Sequence, residues 1–252
     1  MICALVIGRE KSIGFPGKNL YPVLGRPLSY YTMSAVKNSK SVEEVYLSTD
    51  SKALMELAGS LNIKVIQRPA ELCSNEATGK DAFVHGYKVI KALQKDKKIE
   101  LILLMFCNAA TVMPETIEEG IRALRAHPEY DSAVTVSRYN MYSPLRARRI
   151  GEDGLLHPFV PFEAFGDPSK FSCNRDSQGD VWFADVAVSI VRPRCLDHIE
   201  DGLLPQKWMG RKIYPLKQWG GCDVDYKWQI PLVEFWLKEN GFSEEKVPYA
   251  GK

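Results

Sequence analysis

Residues 8–19 form a glycine-rich segment with three cations directly after the first apolar run of the chain. They read G-R-E-K-S-I-G-F-P-G-K-N and match neither the Walker sequence nor the G-x-G-x-x-G fingerprint. Glycines let backbone N–H groups approach a phosphate closely, and cations neutralise its charge. A tight, solvated basic turn would explain a generic loop of this kind, but the full spacing favours an anion site. The candidate phosphate contacts are Gly8, Arg9, Ser12, Gly14, Lys18 and Asn19.

A pair of carboxylates near the end of the chain could hold a divalent metal ion. Asp223 and Asp225 flank Val224, and side chains two residues apart in an extended segment point the same way. Two carboxylates on one side suit Mg²⁺, which also takes waters and substrate phosphates as ligands. Gly220-Gly221, just before the pair, would permit a close approach of backbone to ligand. An acidic surface turn is the alternative interpretation, and the pattern alone favours it.

The segment 139–180 lacks clear periodicity and is rich in proline, arginine, glycine and aromatic residues. Long irregular segments in compact domains are usually functional, as lids, arms or subunit contacts. Arg146 stands in a cluster of three arginines that suits an anionic substrate, although a solvated basic face fits equally well. Arg175 and Gln178 belong to a polar run that could line the same pocket.

The elements that must position these segments alternate between strand and helix over the first two thirds of the sequence. Residues 2–7 form a continuous apolar run, which is typical of a strand buried on both faces. Alternation at this spacing predicts a three-layer α/β/α fold with a mainly parallel mixed sheet. Ligands bind such sheets beyond the carboxyl ends of the strands, where Gly8, Thr49 and Cys107 are found. The predicted strands are 2–7, 45–47, 65–66, 101–106, 132–136 and 186–191, and the predicted helices are 27–39, 52–61, 81–93, 114–126 and 230–239.

Composition excludes several classes of protein. The 252 residues carry 33 Lys and Arg against 31 Asp and Glu, and a formal charge of +2 gives no support for binding to nucleic acid or a membrane surface. The six cysteines form no C-x-x-C pair and no zinc spacing, which suits a reducing cytosol. No segment has the form of a signal peptide or approaches the roughly 20 apolar residues of a membrane span. We therefore expect a cytoplasmic protein in which 1–252 forms one domain and 139–180 is an arm inserted in it.

Five motifs, in order along the chain, resemble those of the sugar-activating nucleotidyltransferases. The resemblance is closest to the cytidylyltransferases that make CMP-activated 3-deoxy-2-ulosonic acids, such as the CMP-sialic acid synthetases. It covers residues 2–138 well and resumes at 186–235. The motifs are the spacing of Arg9 and Lys18, Gly25-Arg26-Pro27-Leu28, the V-Y-L-S-T-D-S run of 45–51, Arg68-Pro69-Ala70-Glu71-Leu72, and Cys222-Asp223-Val224-Asp225.

The resemblance implies a nucleotide-diphospho-sugar transferase fold of the Rossmann-like kind and a magnesium-dependent reaction. The anomeric hydroxyl of a sialic-acid-like or octulosonic acid would attack the α-phosphate of CTP and release pyrophosphate. These enzymes usually form homodimers in which an arm reaches the partner's active site, and 139–180 is the corresponding segment here. The implied functional residues are Arg9 and Lys18 for the triphosphate, Arg68 for the nucleotide, Asp223 and Asp225 for magnesium, and Arg146 for the acidic sugar.

The sequence also departs from the family pattern at positions near the substrates. The family's L-Q-P-T-S-P becomes M-F-C-N-A-A, so that Phe106 replaces the glutamine and Ala109 the serine, and Asn108 could supply some of the lost nucleotide contacts. Asp185 replaces a neutral amide or glycine near the sugar. These changes predict a rebuilt sugar pocket. They leave two alternatives: a transferase that uses a sugar 1-phosphate and another nucleoside triphosphate, and a catalytically silent nucleotide-sugar binding protein.

Overall fold

The computed structural model describes residues 1–175 and 178–249, which build a central β-sheet covered by helices. Among these described residues, no helix is both long enough and apolar enough to cross a bilayer. The strands are β1 Ile2–Ile7, β2 Pro22–Val23, β3 Arg26–Pro27, β4 Glu44–Thr49, β5 Lys64–Gln67, β6 Leu101–Phe106, β7 Ser132–Arg138, β8 Arg148–Ile150, β9 Leu156–Pro158, β10 Trp182–Val191 and β11 Ile213–Gln218. The α-helices are α1 Leu28–Lys37, α2 Lys52–Ser60, α3 Gly79–Leu93, α4 Pro114–Ala126, α5 Pro193–Asp197 and α6 Ile230–Glu239.

The main sheet has seven strands in the order β11-β7-β10-β6-β1-β4-β5. Strands β1, β4, β5 and β6 run parallel, and β11 pairs parallel with β7. Strand β10 is antiparallel to both of its neighbours. The sheet is therefore mixed and mainly parallel, as the alternation of strands and helices predicts.

Helices cover both faces of the sheet, and two apolar clusters fill the space between the layers. On β1, Ala4 and Val6 contribute to one cluster, whereas Leu5 and Ile7 contribute to the other. Apolar residues of α1, α2, α4 and α6 belong to the first cluster, and those of α3 and α5 to the second. Every residue of β1 is buried because both of its faces lie against helices. The predicted three-layer α/β/α architecture is confirmed.

Local signals account for where the predicted element bounds are right and where they are wrong. Helix α4 begins at Pro114, as predicted, because proline has no N–H to leave unsatisfied in a first turn. Helix α3 begins at Gly79, two residues before its predicted start, because Thr78 caps it through the backbone N–H of Asp81. Strand β11 was not predicted because it has no apolar run. It is a half-exposed strand at the edge of the sheet and is interrupted by Pro215.

The segment 139–180 contains more regular structure than its sequence predicts. Strands β8 and β9 form a small antiparallel hairpin, and short 3₁₀ turns connect it to the rest of the segment. Large apolar side chains are exposed on it, including Ile150 at 75%, Leu156 at 71% and Phe159 at 63%. The segment therefore leaves apolar surface exposed instead of burying it in a core of its own.

Candidate active site

The loops that follow β1 and β6 meet closely at the carboxyl edge of the sheet. Gly8 follows β1, and Cys107 follows β6 and donates its N–H to Ile7 O at 2.9 Å. A Cβ atom at position 8 would lie 2.6 Å from Cys107 Sγ, so this crossing requires a glycine. The glycine is therefore needed for loop packing, in addition to any approach to a phosphate.

The 8–19 loop is closed on itself by a side chain at its far end. Asn19 Nδ2 donates to Arg9 O at 3.0 Å, and Gly17 adopts the left-handed region at φ 75° before the 3₁₀ turn that carries Lys18. Arg9 Nη1 donates to Ser74 O at 2.7 Å. These contacts hold the two cations of the predicted phosphate site in fixed places relative to the sheet.

The basic loop meets the acidic pair, although 207 residues separate them in sequence. Lys18 Nζ lies 2.6 Å from Asp225 Oδ1, and the Lys18 side chain is only 13% exposed. The backbone also comes close, because a Cβ atom at Gly14 would lie 2.8 Å from Asp225 O. The 8–19 loop and the Asp223/Asp225 pair are therefore in contact and line a single cavity.

The acidic segment is supported from the end of β6. Asn108 Nδ2 donates to Val224 O at 2.9 Å, and Val224 N donates to Asn108 O at 3.0 Å. Burial raises the pKa of Asp223, the negative charge of Asp225 raises it further, and Lys18 opposes the change. A cation placed between these two carboxylates would remove that repulsion.

The donor set fits Mg²⁺ better than a softer metal. Within the described residues, no group of three or more His, Cys, Asp and Glu side chains could hold a metal ion. Mg²⁺ needs no such cage, since it is commonly held by one or two carboxylates together with waters and substrate phosphates. Asp223 and Asp225 both line the cavity, where their carboxylates could supply hard oxygen ligands.

Arg68 lies on the opposite side of the basic loop and is 7% exposed. Its Nη2 donates to Ser48 O at 2.6 Å and its Nε to Ser48 Oγ at 3.3 Å, so the end of β4 fixes the guanidinium. Burial lowers the pKa of Arg68, yet arginine remains protonated across the range in which proteins fold. The guanidinium is therefore a fixed cation at one wall of the cavity.

The cavity between these groups has a volume of about 380 Å³. This lies within the range of small-molecule sites in proteins. All the residues predicted to contact phosphate, nucleotide or metal line it: Gly8, Arg9, Ser12, Gly14, Lys18, Asn19, Arg68, Asn108, Asp223 and Asp225. Phe106, noted above as a departure from the family pattern, lines it as well. Further lining residues were not predicted, namely Ile7, Ile13, Leu72, Ala77, Thr78, Gly79, Ala82 and Tyr226.

Two of these residues, Thr78 and Gly79, mark the start of helix α3. Thr78 and Asp81 form a capping box, and α3 directs its N-terminus at the cavity wall. The signal was present in the sequence as Thr-x-x-Asp before an apolar run. Phe106 packs edge-on against Phe83 at 5.0 Å between ring centroids, which makes this end of the cavity apolar.

The structure does not bring three of the predicted sugar-binding residues to this cavity. Arg146 donates through Nη2 to Cys173 O at 2.9 Å, and together with Gln178 it lines a separate hollow of about 630 Å³ in the 139–180 segment. Arg175 lines a third hollow, beside Arg138. Arg146 and Gln178 therefore share one hollow, whereas Arg175 lines another.

Asp185, predicted from the family resemblance to lie near the sugar, is a buried carboxylate beside the loop that leads to the acidic pair. It is 5% exposed and does not line the cavity. Its Oδ2 accepts hydrogen bonds from Ser137 Oγ at 2.7 Å and from Gln218 Nε2 at 2.9 Å. A Cβ atom at Gly221 would collide with this carboxylate, so Asp185 supports the loop that leads to the acidic pair. Val186 beside it has φ 52°, a strained value for a β-branched residue.

The architecture is that of the nucleotide-diphospho-sugar transferase fold class. The structure of CMP:2-keto-3-deoxy-manno-octonic acid synthetase in complex with CTP matches 95% of this chain and 99% of its own with a TM-score of 0.64, at 13% identity. A 4-diphosphocytidyl-2C-methyl-D-erythritol synthase from Anaerococcus prevotii matches with a TM-score of 0.61 at 14% identity. The chain belongs to the cytidylyltransferase family, whose profile matches residues 3–149. The predicted family is thus confirmed, and the matched residues contain the first four of the five motifs.

Curated relatives carry names of the same kind. CMP-N,N'-diacetyllegionaminic acid synthase of Legionella pneumophila is 29% identical over 177 residues, which are 69% of this chain and 72% of that protein. The 3-deoxy-manno-octulosonate cytidylyltransferase of Bdellovibrio bacteriovorus is 28% identical over 132 residues, 52% of this chain and 49% of that one. The N-acylneuraminate cytidylyltransferase of Escherichia coli is 26% identical over 57% of this chain and 33% of its own. The match thus spans about half of the Bdellovibrio protein and a third of the Escherichia coli protein.

Proposed function

We propose that this protein is a magnesium-dependent cytidylyltransferase that forms a CMP-sugar and pyrophosphate from CTP and a 3-deoxy-2-ulosonic acid, either sialic-acid-like or octulosonic. The hydroxyl at the anomeric carbon attacks the α-phosphorus, the bond from that phosphorus to the bridging oxygen of the β-phosphate breaks, and the hydroxyl proton passes to solvent. The observation that carries the proposal is the contact of Lys18 with Asp225 at 2.6 Å in a cavity of about 380 Å³.

Each functional side chain has a role that its charge and position support. Arg9 and Lys18 neutralise the triphosphate and the charge that grows on the leaving pyrophosphate. Asp223 and Asp225 would hold Mg²⁺, which would supply Lewis-acid neutralisation of phosphate charge. Arg68, fixed by Ser48, assists binding of the nucleotide at the far wall.

Two measurements test this assignment. Release of pyrophosphate is followed with CTP and a panel of 2-keto-3-deoxy sugar acids. Lys18→Ala should then reduce turnover by about 10²–10³-fold, the usual effect of removing one preorganised charge-stabilising group, while the folded fraction stays unchanged. Near-normal turnover by the folded variant would remove Lys18 from the mechanism.

The apolar end of the cavity supports one second candidate, a nucleotidyltransferase that uses a sugar 1-phosphate and a different nucleoside triphosphate. Phe106 lines the cavity where the family has a glutamine, so a polar contact to the base is lost at this point. The same pyrophosphate assay with all four triphosphates separates the candidates. Binding of CTP without turnover on any sugar would instead support a catalytically silent nucleotide-sugar binding protein.

The 139–180 segment is proposed as a dimerisation arm of a single 1–252 domain in a cytoplasmic homodimer. Its exposed apolar side chains support a subunit contact, and Arg146, Arg175 and Gln178 would then approach the sugar site of the partner rather than their own. Sedimentation of a variant with Leu156→Glu and Phe159→Glu should give a monomer. Leu93→Glu, on an equally exposed residue at the end of α3, is the matched control and should sediment as the unaltered protein does.

A further inference from the structure

Asn108 makes two hydrogen bonds to one residue, and that residue lies between the two candidate metal ligands. Its side-chain Nδ2 donates to Val224 O at 2.9 Å, while its backbone oxygen accepts from Val224 N at 3.0 Å. Asn108 is 8% exposed and Val224 is fully buried. The peptide groups on both sides of Val224 are therefore fixed from the end of β6.

Fixing both peptide groups fixes both carboxylates. Asp223 begins on one side of Val224 and Asp225 on the other, and each side chain lines the cavity. In an extended segment the two side chains leave the backbone in the same direction only while the intervening residue keeps its conformation. The Asn108 side chain supplies a hydrogen bond, without charge, to the peptide unit that joins Val224 to Asp225.

Taking the proposed function as given, we infer that Asn108 is a positioning residue for the acidic pair, which it aligns for a divalent cation through Val224. Outer contacts of this kind often change metal affinity by about 10–100-fold when they are removed. This role differs from the nucleotide contact that the sequence predicts for Asn108. A contact to the nucleotide would change the KM for the triphosphate, whereas alignment of the carboxylates changes the dependence on the metal.

The test uses Asn108→Leu, which keeps a similar side-chain size and removes the donor. Binding of Mn²⁺ alone to the full chain is measured by electron paramagnetic resonance, without any turnover. The Mg²⁺ concentration for half-maximal pyrophosphate release and the KM for CTP at saturating Mg²⁺ are measured in parallel. We expect Mn²⁺ affinity to fall by about tenfold or more and the KM for CTP to change by less than about threefold.

Thr32→Val is the matched control for the loss of a buried hydrogen bond at the same loop. Thr32 Oγ1 donates to Ala109 O at 2.9 Å, one residue beyond Asn108, and Thr32 is fully buried. Both variants should show a similar decrease in Tm. Only Asn108→Leu should weaken Mn²⁺ binding, because Thr32 makes no hydrogen bond to Val224.

Three outcomes would overturn the inference. Unchanged Mn²⁺ affinity with a raised KM for CTP would make Asn108 a nucleotide contact. Equal loss of Mn²⁺ affinity in Thr32→Val would reduce Asn108 to a general structural role. A folded wild-type protein that binds no Mn²⁺ would remove the metal site itself. Because Mn²⁺ binding is measured without turnover, failure of the proposed transferase activity is detected separately, by the absence of pyrophosphate release from wild-type protein.

Discussion

Replacing Lys18 by methionine should strengthen divalent-metal binding in the absence of nucleotide, although the same change should remove turnover. Lys18 Nζ lies 2.6 Å from Asp225 Oδ1, so the ammonium group is paired with the carboxylate oxygen that a metal ion would bind. A metal ion must displace this group, or a triphosphate must first draw it away. Nucleotide and metal are therefore expected to bind with positive coupling, since each favours the arrangement that the other needs.

The size of the gain follows from the exposure of the pair. The Lys18 side chain is 13% exposed and that of Asp225 is 58% exposed, so solvent screens the interaction on one side. Ion pairs with an exposed partner contribute about 0.2–1 kcal/mol. One kcal/mol corresponds to a change of about fivefold in affinity, because about 1.4 kcal/mol corresponds to tenfold. We therefore expect Lys18→Met to bind Mn²⁺ about 1.4- to fivefold more tightly than wild type when no nucleotide is present.

The assay is a titration with Mn²⁺ followed by electron paramagnetic resonance, with and without CTP. Lys11→Met is the matched control, because it removes the same charge from the same loop while Lys11 does not line the cavity that holds the acidic pair. It should leave Mn²⁺ affinity nearly unchanged. With CTP present, the advantage of Lys18→Met should disappear, since the triphosphate withdraws the ammonium group from Asp225 in the wild-type protein.

One result would refute the reasoning directly. If Lys18→Met bound Mn²⁺ no more tightly than wild type in the absence of nucleotide, the ion pair would not compete with the metal. An equal gain in Lys11→Met would point to long-range charge instead of the contact with Asp225.

Three further predictions concern the acidic pair and the loops around it. Burial raises the pKa of Asp223, so Mn²⁺ affinity should weaken as the pH falls through this raised pKa, at a higher pH than for an ordinary aspartate. Mn²⁺ titrations at a series of pH values check this. Loss of affinity only around the usual aspartate pKa would contradict it. Asp185→Ala should lower the free energy of unfolding by about 1–3 kcal/mol, measured in urea, because the buried Ser137 hydroxyl and the half-buried Gln218 amide lose an acceptor. Gly14→Ala should raise the KM for CTP, since the added Cβ would lie 2.8 Å from Asp225 O. Gly59→Ala in α2 is the control, because a Cβ atom there would have no neighbour within 4 Å. It should leave that KM unchanged and stabilise the fold by about 0.5–1 kcal/mol.

The elements with a strong local signal were predictable from sequence. Strand β1 is a continuous apolar run and is buried on both faces, and α4 begins at the proline that marks its first turn. The edge strand β11 was not predictable, because half of it faces solvent and no apolar alternation distinguishes it from a loop. The start of α3 was missed by two residues although Thr78 and Asp81 carried the signal.

In the candidate site, too, the residues next to strongly marked strands were predictable from the sequence. Gly8, Arg68 and Asn108 follow strands that the apolar runs identify, and the carboxyl edge of a parallel sheet gathers such positions together. Arg146 and Asp185 were placed near the sugar from the family pattern, and a position in a sequence pattern does not reveal which partner a side chain will contact. In the structure, Arg146 donates to the Cys173 carbonyl, and Asp185 accepts from a buried hydroxyl and a half-buried amide.

The sequence by itself determined the alternation of strands and helices, the loops at the strand ends and the types of charge they carry, because apolar periodicity and turn residues act over a few neighbouring positions. Only the tertiary structure decided that Asp225 meets Lys18 across 207 residues and that Asn108 holds Val224. Those contacts depend on the order of strands in the sheet. The sheet runs β11-β7-β10-β6-β1, and the segment after β11 returns to Asn108 at the end of β6. No local pattern specifies that return, since it results from how the whole core packs.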